Sequence, residues 1–350
     1  MKTIDTQKIG LGDYLIAKKH SRETKLDAFN TVIDWTPIEK KLQKKLPRTS
    51  DATGHPAYPA IVMFKCLILQ RLYNLSDVEL EASIADRFSF LKFVGLGVED
   101  DIPDSSTICR FRNSLLKNNL GEKLFGIFLH QLQEKGLRLE KGIAVDASVI
   151  QSSRHPCTVL EQMPEDRNEP DLNDDTGTDN SYGYVKVHSD DTEAAWVKKA
   201  GKAHYGYKVH AAVSVETGFI LGGHVTPANK SDMNELSTVI SEIPIEPGIR
   251  CYADKGYASA KNRGIIKAAG LQDGIMSKAA RNRPLSYWEQ VRNKLISSSR
   301  CIVERIFGDL KRNRRFSRSR YVGMAKVEQE FFLVAFVANA LRAVTLMTHA

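Results

Sequence analysis

Residues 142–150 read GIAVDASVI, and this stretch decides the fold. Its β-branched, alternating apolar residues predict a buried strand, yet Asp146 stands in the middle of it. A lone carboxylate there costs several kcal/mol unless a partner or a metal compensates. Outward from this strand the C-terminal half alternates between the two periodicities. HYGYKVHAAVSVE (204–216), the turn Thr217-Gly218 and FILGGHVTPA (219–228) predict a hairpin. SDMNELSTVISEI predicts a helix, GIRCYAD a strand, ASAKNRGIIKAAG a helix and LQDGIMS a strand, before one or two long helices over SYWEQVRNKLISSSRCIVERIFGDLKR. The order three strands, helix, strand, helix, strand, helix implies an α/β domain. Its sheet is mixed, antiparallel at the hairpin and parallel at the crossovers.

Upstream, residues 58–135 carry apolar side chains at three- and four-residue spacings and predict an all-α region. Ser76 and Glu79 make a capping-box pattern, and a helix opening at Ser105 or Ser106 carries Arg110 and Arg112. Residues 1–56 are polar and basic and read as a helix end and linker; the expected boundaries are 1–56, 57–138 and 139–350. The segment from about 156 to 200 is acidic without apolar periodicity and reads as a long surface loop. The 350 residues carry a net charge of +8 and a pI of about 9.1, which favours a polyanionic partner. Five dispersed cysteines with no Cys-x-x-Cys pair argue against a zinc site or a disulfide framework and suit a reducing cytoplasm. The N-terminus has no signal-peptide core, and the run Phe331–Ala338 is too short to span a bilayer, so no membrane association is expected.

Two further acids fall on telling elements. Asp254 ends the strand after the first crossover helix, at the carboxyl edge where open α/β sheets place ligand sites. Glu304 lies in a helix among Ile302, Val303, Ile306 and Phe307. Taken singly, Asp254 reads as a turn and cap residue, and Glu304 as a partner for Arg300 or Lys311. Together, with the strands of Asp146 and Asp254 side by side, the three make a hard-oxygen site for Mg²⁺ or Mn²⁺, in a two-metal arrangement acting on a phosphodiester.

These segments resemble a known family. GIAVDAS, GYKVHAAVSVETGFILGGHVTPANKSDMNEL, YADKGYAS and RCIVERIFGDLK are similar to bacterial insertion-sequence transposases of the DDE type, insertion-sequence group five, over about residues 55–345. The resemblance implies a ribonuclease-H-like core, with Asp146, Asp254 and Glu304 as metal-binding catalytic acids. It also implies that Arg300 and Lys311 contact transposon-end DNA. Ser297 stands where the family pattern has Tyr, and the separation of 50 between Asp254 and Glu304 implies that no large β-rich insertion lies between them. The activity implied is cleavage at the element's ends and joining of the 3′-hydroxyls to target DNA, within a homodimer on double-stranded DNA. The rivals are a metal-dependent nuclease without strand transfer and an inactive DNA-binding derivative.

Further DNA contacts are expected from Arg312, Arg314 and Arg315, and from Arg110 and Arg112 on a groove-entering helix, whose bland alternative is a bundle face. Tyr287 and Trp288 read either as a base-stacking pair or, for Trp288, as core packing at a helix start. Asp232 reads as a helix-cap acid.

Overall fold

The computed structural model describes residues 24–46, 57–136, 142–162, 182–187, 189–199, 201–243 and 246–348. The linker expected near residues 47–56 lies outside them. Among the described residues the chain begins with helices α1 (Lys25–Val32), α2 (Trp35–Lys45), α3 (Ala60–Tyr73), α4 (Asp77–Asp86), α5 (Phe88–Val94), α6 (Ser105–Lys117) and α7 (Leu120–Glu134). The predicted capping box opens α4: Ser76 Oγ accepts from the Glu79 N–H, and Glu79 accepts from the Ser76 N–H. α6 opens at Ser105 as expected, and Asp104 caps it, accepting from the Thr107 N–H. The polar N-terminal stretch carries apolar stripes of its own, for Leu26, Phe29, Val32, Ile38 and Leu42 are buried and join the helical core.

The second layer is a mixed sheet. Its strands are β1 (Ile143–Gln151), β4 (Ala195–Lys199), β5 (Lys202–Ser214), β6 (Ile220–Pro227), β7 (Arg250–Ala253) and β8 (Gln272–Ile275). β5 pairs antiparallel with β1 along one edge and with β4 and then β6 along the other; β7 and β8 continue from β1 in parallel. This is the mixed sheet that the order of elements predicts, antiparallel at the hairpin and parallel at the crossovers. Helices α8 (Asp232–Ser241) and α9 (Ala260–Ala268) are the crossovers, and α10 (Tyr287–Arg312) is a single 26-residue helix. At Gly206 β5 changes partner from β4 to β6, and a Cβ there would overlap the Ile150 carbonyl oxygen, so the crossing needs glycine.

Two expectations need correction. The 156–200 stretch is not one long loop: β2 (Cys157–Gln162) and β3 (Tyr182–Val187) pair as a separate ribbon, and β4 joins the main sheet. Residues 163–181 lie outside the described residues. The apolar run at 331–338 belongs to α11 (Met324–Thr348), a helix long and apolar enough to cross a membrane. Its Phe331, Phe332, Leu333, Val334, Phe336 and Val337 are buried in the shared core, where Phe336 stacks on Phe128 of α7.

Candidate active site at the carboxyl edge of the sheet

In the β1–β7 ladder Val145 pairs with Ala253, so the next residues, Asp146 and Asp254, sit side by side at the sheet's carboxyl edge. β7 ends there because Asp254 caps a single 3₁₀ turn, Lys255–Tyr257, its Oδ1 accepting from the Lys255 N–H at 2.7 Å. The cap reading is therefore correct and compatible with a place in the site. Asp146 Oδ1 accepts from the Ala147 N–H at 2.8 Å, leaving Oδ2 for a partner.

That partner comes from α10. Arg300, only 6% exposed, donates from Nη2 to Asp146 Oδ2 at 3.0 Å, and its Nη1 lies 3.7 Å from Asp254 Oδ1. One guanidinium thus holds both carboxylates. Burial pushes the Asp146 carboxyl above its usual range, although Arg300 pulls the other way, and the charge of Asp254 adds to the rise. Glu304, one turn further along α10, is exposed and has no ion pair among the described residues. The structure therefore joins Asp146, Asp254 and Arg300 and leaves Glu304 outside that contact. Among the described residues no three His, Cys, Asp or Glu side chains are arranged to hold a metal. The two aspartates nonetheless fit a divalent cation: they are hard oxygen donors on adjacent strands, and a cationic group already occupies the position between them.

Two residues escaped the sequence reading. Tyr257 is 2% exposed with its hydroxyl unpartnered among the described residues; burial, then Asp232 and Asp146, push its phenol well up. Lys199 on β4 lies within electrostatic reach of both Asp146 and Lys311. Burial and then Lys199 lower the half-buried Lys311 ammonium from its ordinary range. The sequence signal for Lys199 is the cluster Lys198, Lys199, Lys202 at the end of the expected acidic loop.

The expected DNA contacts divide. Arg112 is buried, paired with Asp77 at 2.5 Å and bonded to the Tyr321 hydroxyl, so it braces α6 against α4 and the segment before α11 instead of facing a groove. Arg314 donates to the Leu72 carbonyl and lies 3.8 Å from Asp309, so it too is spent within the fold. Arg110, Arg312 and Arg315 are exposed. Tyr287 and Trp288 are 71% and 75% exposed, which overturns core packing for Trp288. Asp232 makes no cap: it is the first residue of α8, and its carboxylate pairs with Lys208 at 2.7 Å.

Comparison with known proteins gives consistent matches. Residues 138–340 match the transposase DDE domain family, and residues 14–114 match a second transposase domain family. The chain is 37% identical over 236 residues to the transposase for insertion sequence element IS1106 of Neisseria meningitidis serogroup B, covering 67% of this chain and 76% of that one. Among solved structures it is similar to the piggyBac transposase synaptic complex with hairpin DNA, at 10% identity and a TM-score of 0.44, over 93% of this chain and 76% of that one.

Proposed function

The chain belongs to the transposase DDE-domain family, and from that premise we propose that it binds the terminal inverted repeats of an insertion sequence, cleaves at its ends and joins the 3′-hydroxyls to target DNA. The observation that carries this reading is the pairing of Asp146 and Asp254 on neighbouring parallel strands, held by one buried arginine. The Arg300, Glu304 and Lys311 spacing supports insertion-sequence group five, with Ser297 as a departure from its pattern.

Asp146, Asp254 and Glu304 would hold Mg²⁺ or Mn²⁺, two ions in the complete site. Bound there, divalent cations supply charge neutralisation and activation of an attacking hydroxyl at a phosphodiester. The residues of the chain do the rest. Asp146 is fixed by the sheet and by its bond to the Ala147 N–H. Glu304 is free to turn inward because nothing among the described residues holds it. Arg300 passes from the two carboxylates to the scissile phosphate, where its planar donors match the phosphate oxygens. Lys311, on the same helix, adds a second cation to the strand, and Arg110, Arg312 and Arg315 add exposed charge for the flanking DNA. Both ends must be cut within one paired complex, so the active species is a homodimer on DNA, acting in the bacterial cytoplasm.

The test is a single incubation of protein, Mg²⁺, labelled end duplex and plasmid. Joined products that disappear in Asp146→Asn are the expected result. Cleavage without joined products would favour a nuclease, and Asp146→Asn behaving as wild type would refute the site.

A further inference from the structure

β4 and the first residues of β5, Lys202–Tyr205, form a ribbon that runs past the end of β1, for Gln151 already pairs with Gly206. In its register Lys199 lies directly opposite Lys202, and Lys198 is opposite Ala203. All three lysines are exposed. Like charges directly opposite each other on paired strands are destabilising. Among the described residues none of the three has an ion pair that would offset this. Lys199 also lies close enough to Lys311 of α10 to disfavour its ammonium, and α10 packs against β5. Lys199 and Lys202 therefore face each other across the ribbon, and Lys198 adds a third exposed amine on the neighbouring position of β4. On the same ribbon Trp196 is 52% exposed and packs against Tyr205, ring centroids 5.2 Å apart.

A stability argument alone gives no reason to set lysine against lysine beside a third amine. A polyanion laid across the ribbon gives one, since each ammonium neutralises a phosphate and the repulsion turns into affinity. A two-stranded β-ribbon also has the width that a DNA major groove admits. We propose that this ribbon of β4 and β5 is a DNA clamp, in which Lys198, Lys199 and Lys202 grip backbone phosphates flanking the scissile position while Lys311 holds the strand from α10. The inference rests on the transposase reading of the aspartate site and adds to it a contact surface outside the acids and their helix.

The experiment measures binding of an end duplex with flanking DNA across a salt series, using wild type, Lys198→Ala/Lys199→Ala/Lys202→Ala and the triple Lys→Arg variant. With about 0.9 counterions released per phosphate contact, losing three contacts shrinks the log–log salt slope by about 2.7, so between about 50 and 200 mM salt the wild type should lose about 40-fold more affinity than the alanine variant. The arginine variant should keep the wild-type slope, and circular dichroism with thermal unfolding checks that all three fold alike. Neutral methylphosphonates at the phosphates flanking the scissile position should weaken wild type and leave the alanine variant indifferent. An unchanged slope in a folded alanine variant, or equal weakening of both proteins by methylphosphonates, overturns this inference alone. A wild type with no salt-dependent affinity for the duplex overturns the transposase reading and this inference with it.

Discussion

Replacing Arg300 by Met asks what the guanidinium does between the two aspartates. In wild type it is 8% exposed in its side chain and touches Asp146 at 3.0 Å and Asp254 at 3.7 Å. Breaking a fully buried pair costs about 3–5 kcal/mol, because the abandoned charge stays in a poor solvent. Here the abandoned carboxylates keep 22% and 40% of their side-chain surface in water, so the cost falls to about 2–3 kcal/mol. With an unfolding entropy of about 2.1 cal/mol/K per residue over this chain, that lowers Tm by about 3–4 °C in metal-free buffer. The two aspartates are then left facing each other with nothing between them, which is the arrangement a divalent cation relieves. Mn²⁺ at about a hundred times its Kd would return about 2.7 kcal/mol to the variant, cancelling most of the loss. Wild type must first displace its own guanidinium and should gain less than half as much. Thermal unfolding of both proteins with EDTA and along a Mn²⁺ titration reads this directly. Equal Mn²⁺ shifts in the two proteins, or none in Arg300→Met, would refute the placement of a cation site between Asp146 and Asp254.

Three other outcomes follow from the same geometry. Glu304→Gln should bind end DNA as wild type does and lose cleavage, because the side chain is exposed and unpaired among the described residues; a gel shift beside a cleavage assay checks this, and lost binding would make Glu304 structural. Arg112→Met should destabilise by about 2–3 kcal/mol in urea through loss of the Asp77 and Tyr321 contacts, whereas Arg110→Ala on the exposed face should stay within about 0.5 kcal/mol. His210, fully buried and stacked on His224, has its pKa pushed down to about 3 by burial first, then by His224 and Lys208. An imidazole held neutral contributes stability that is complete above about pH 6.5 and is lost as pH falls toward 3, about 2.7 kcal/mol of it by pH 4.5. His210→Gln should flatten that acid limb in urea midpoints measured at pH 7 and 4.5, and parallel curves for the two proteins would count against it.

Which of these features the sequence exposes depends on how locally each is determined. The sheet was legible because period-two apolar runs and crossover helices leave few ways to order the strands, and that order places Asp254 beside Asp146. The β4 strand was not, since Ala-Trp-Val-Lys-Lys is short, basic and half-exposed, and its pairing with β5 is a tertiary fact. Arg112 carried a signal that went unused. It shares a helical stripe with Ile108 and Leu115, both buried, so a charge at that position had to be paired inside the fold. The basic run after Glu304 misleads for a different reason. Its charge density promises phosphate contacts, but a loop leaving a long helix strands backbone carbonyls, and arginine satisfies them well. Arg318 bonds the Ser152 and Ser153 carbonyls, and Arg320 those of Asn74 and Leu75, so both join Arg314 in tying the helical layer and β1 to the chain beyond α10. Arg300 was ambiguous in principle. Helical spacing offers it Glu304 one turn away, at a surface pair worth about 0.3–0.5 kcal/mol, while the fold offers two partly buried carboxylates that have no other cation in contact among the described residues. The buried choice wins because water already serves Glu304 and does not fully serve Asp146. That same preference leaves Glu304 unpaired among the described residues, so under the proposed function the acid that looks detached is the one that would move if DNA drew the guanidinium away.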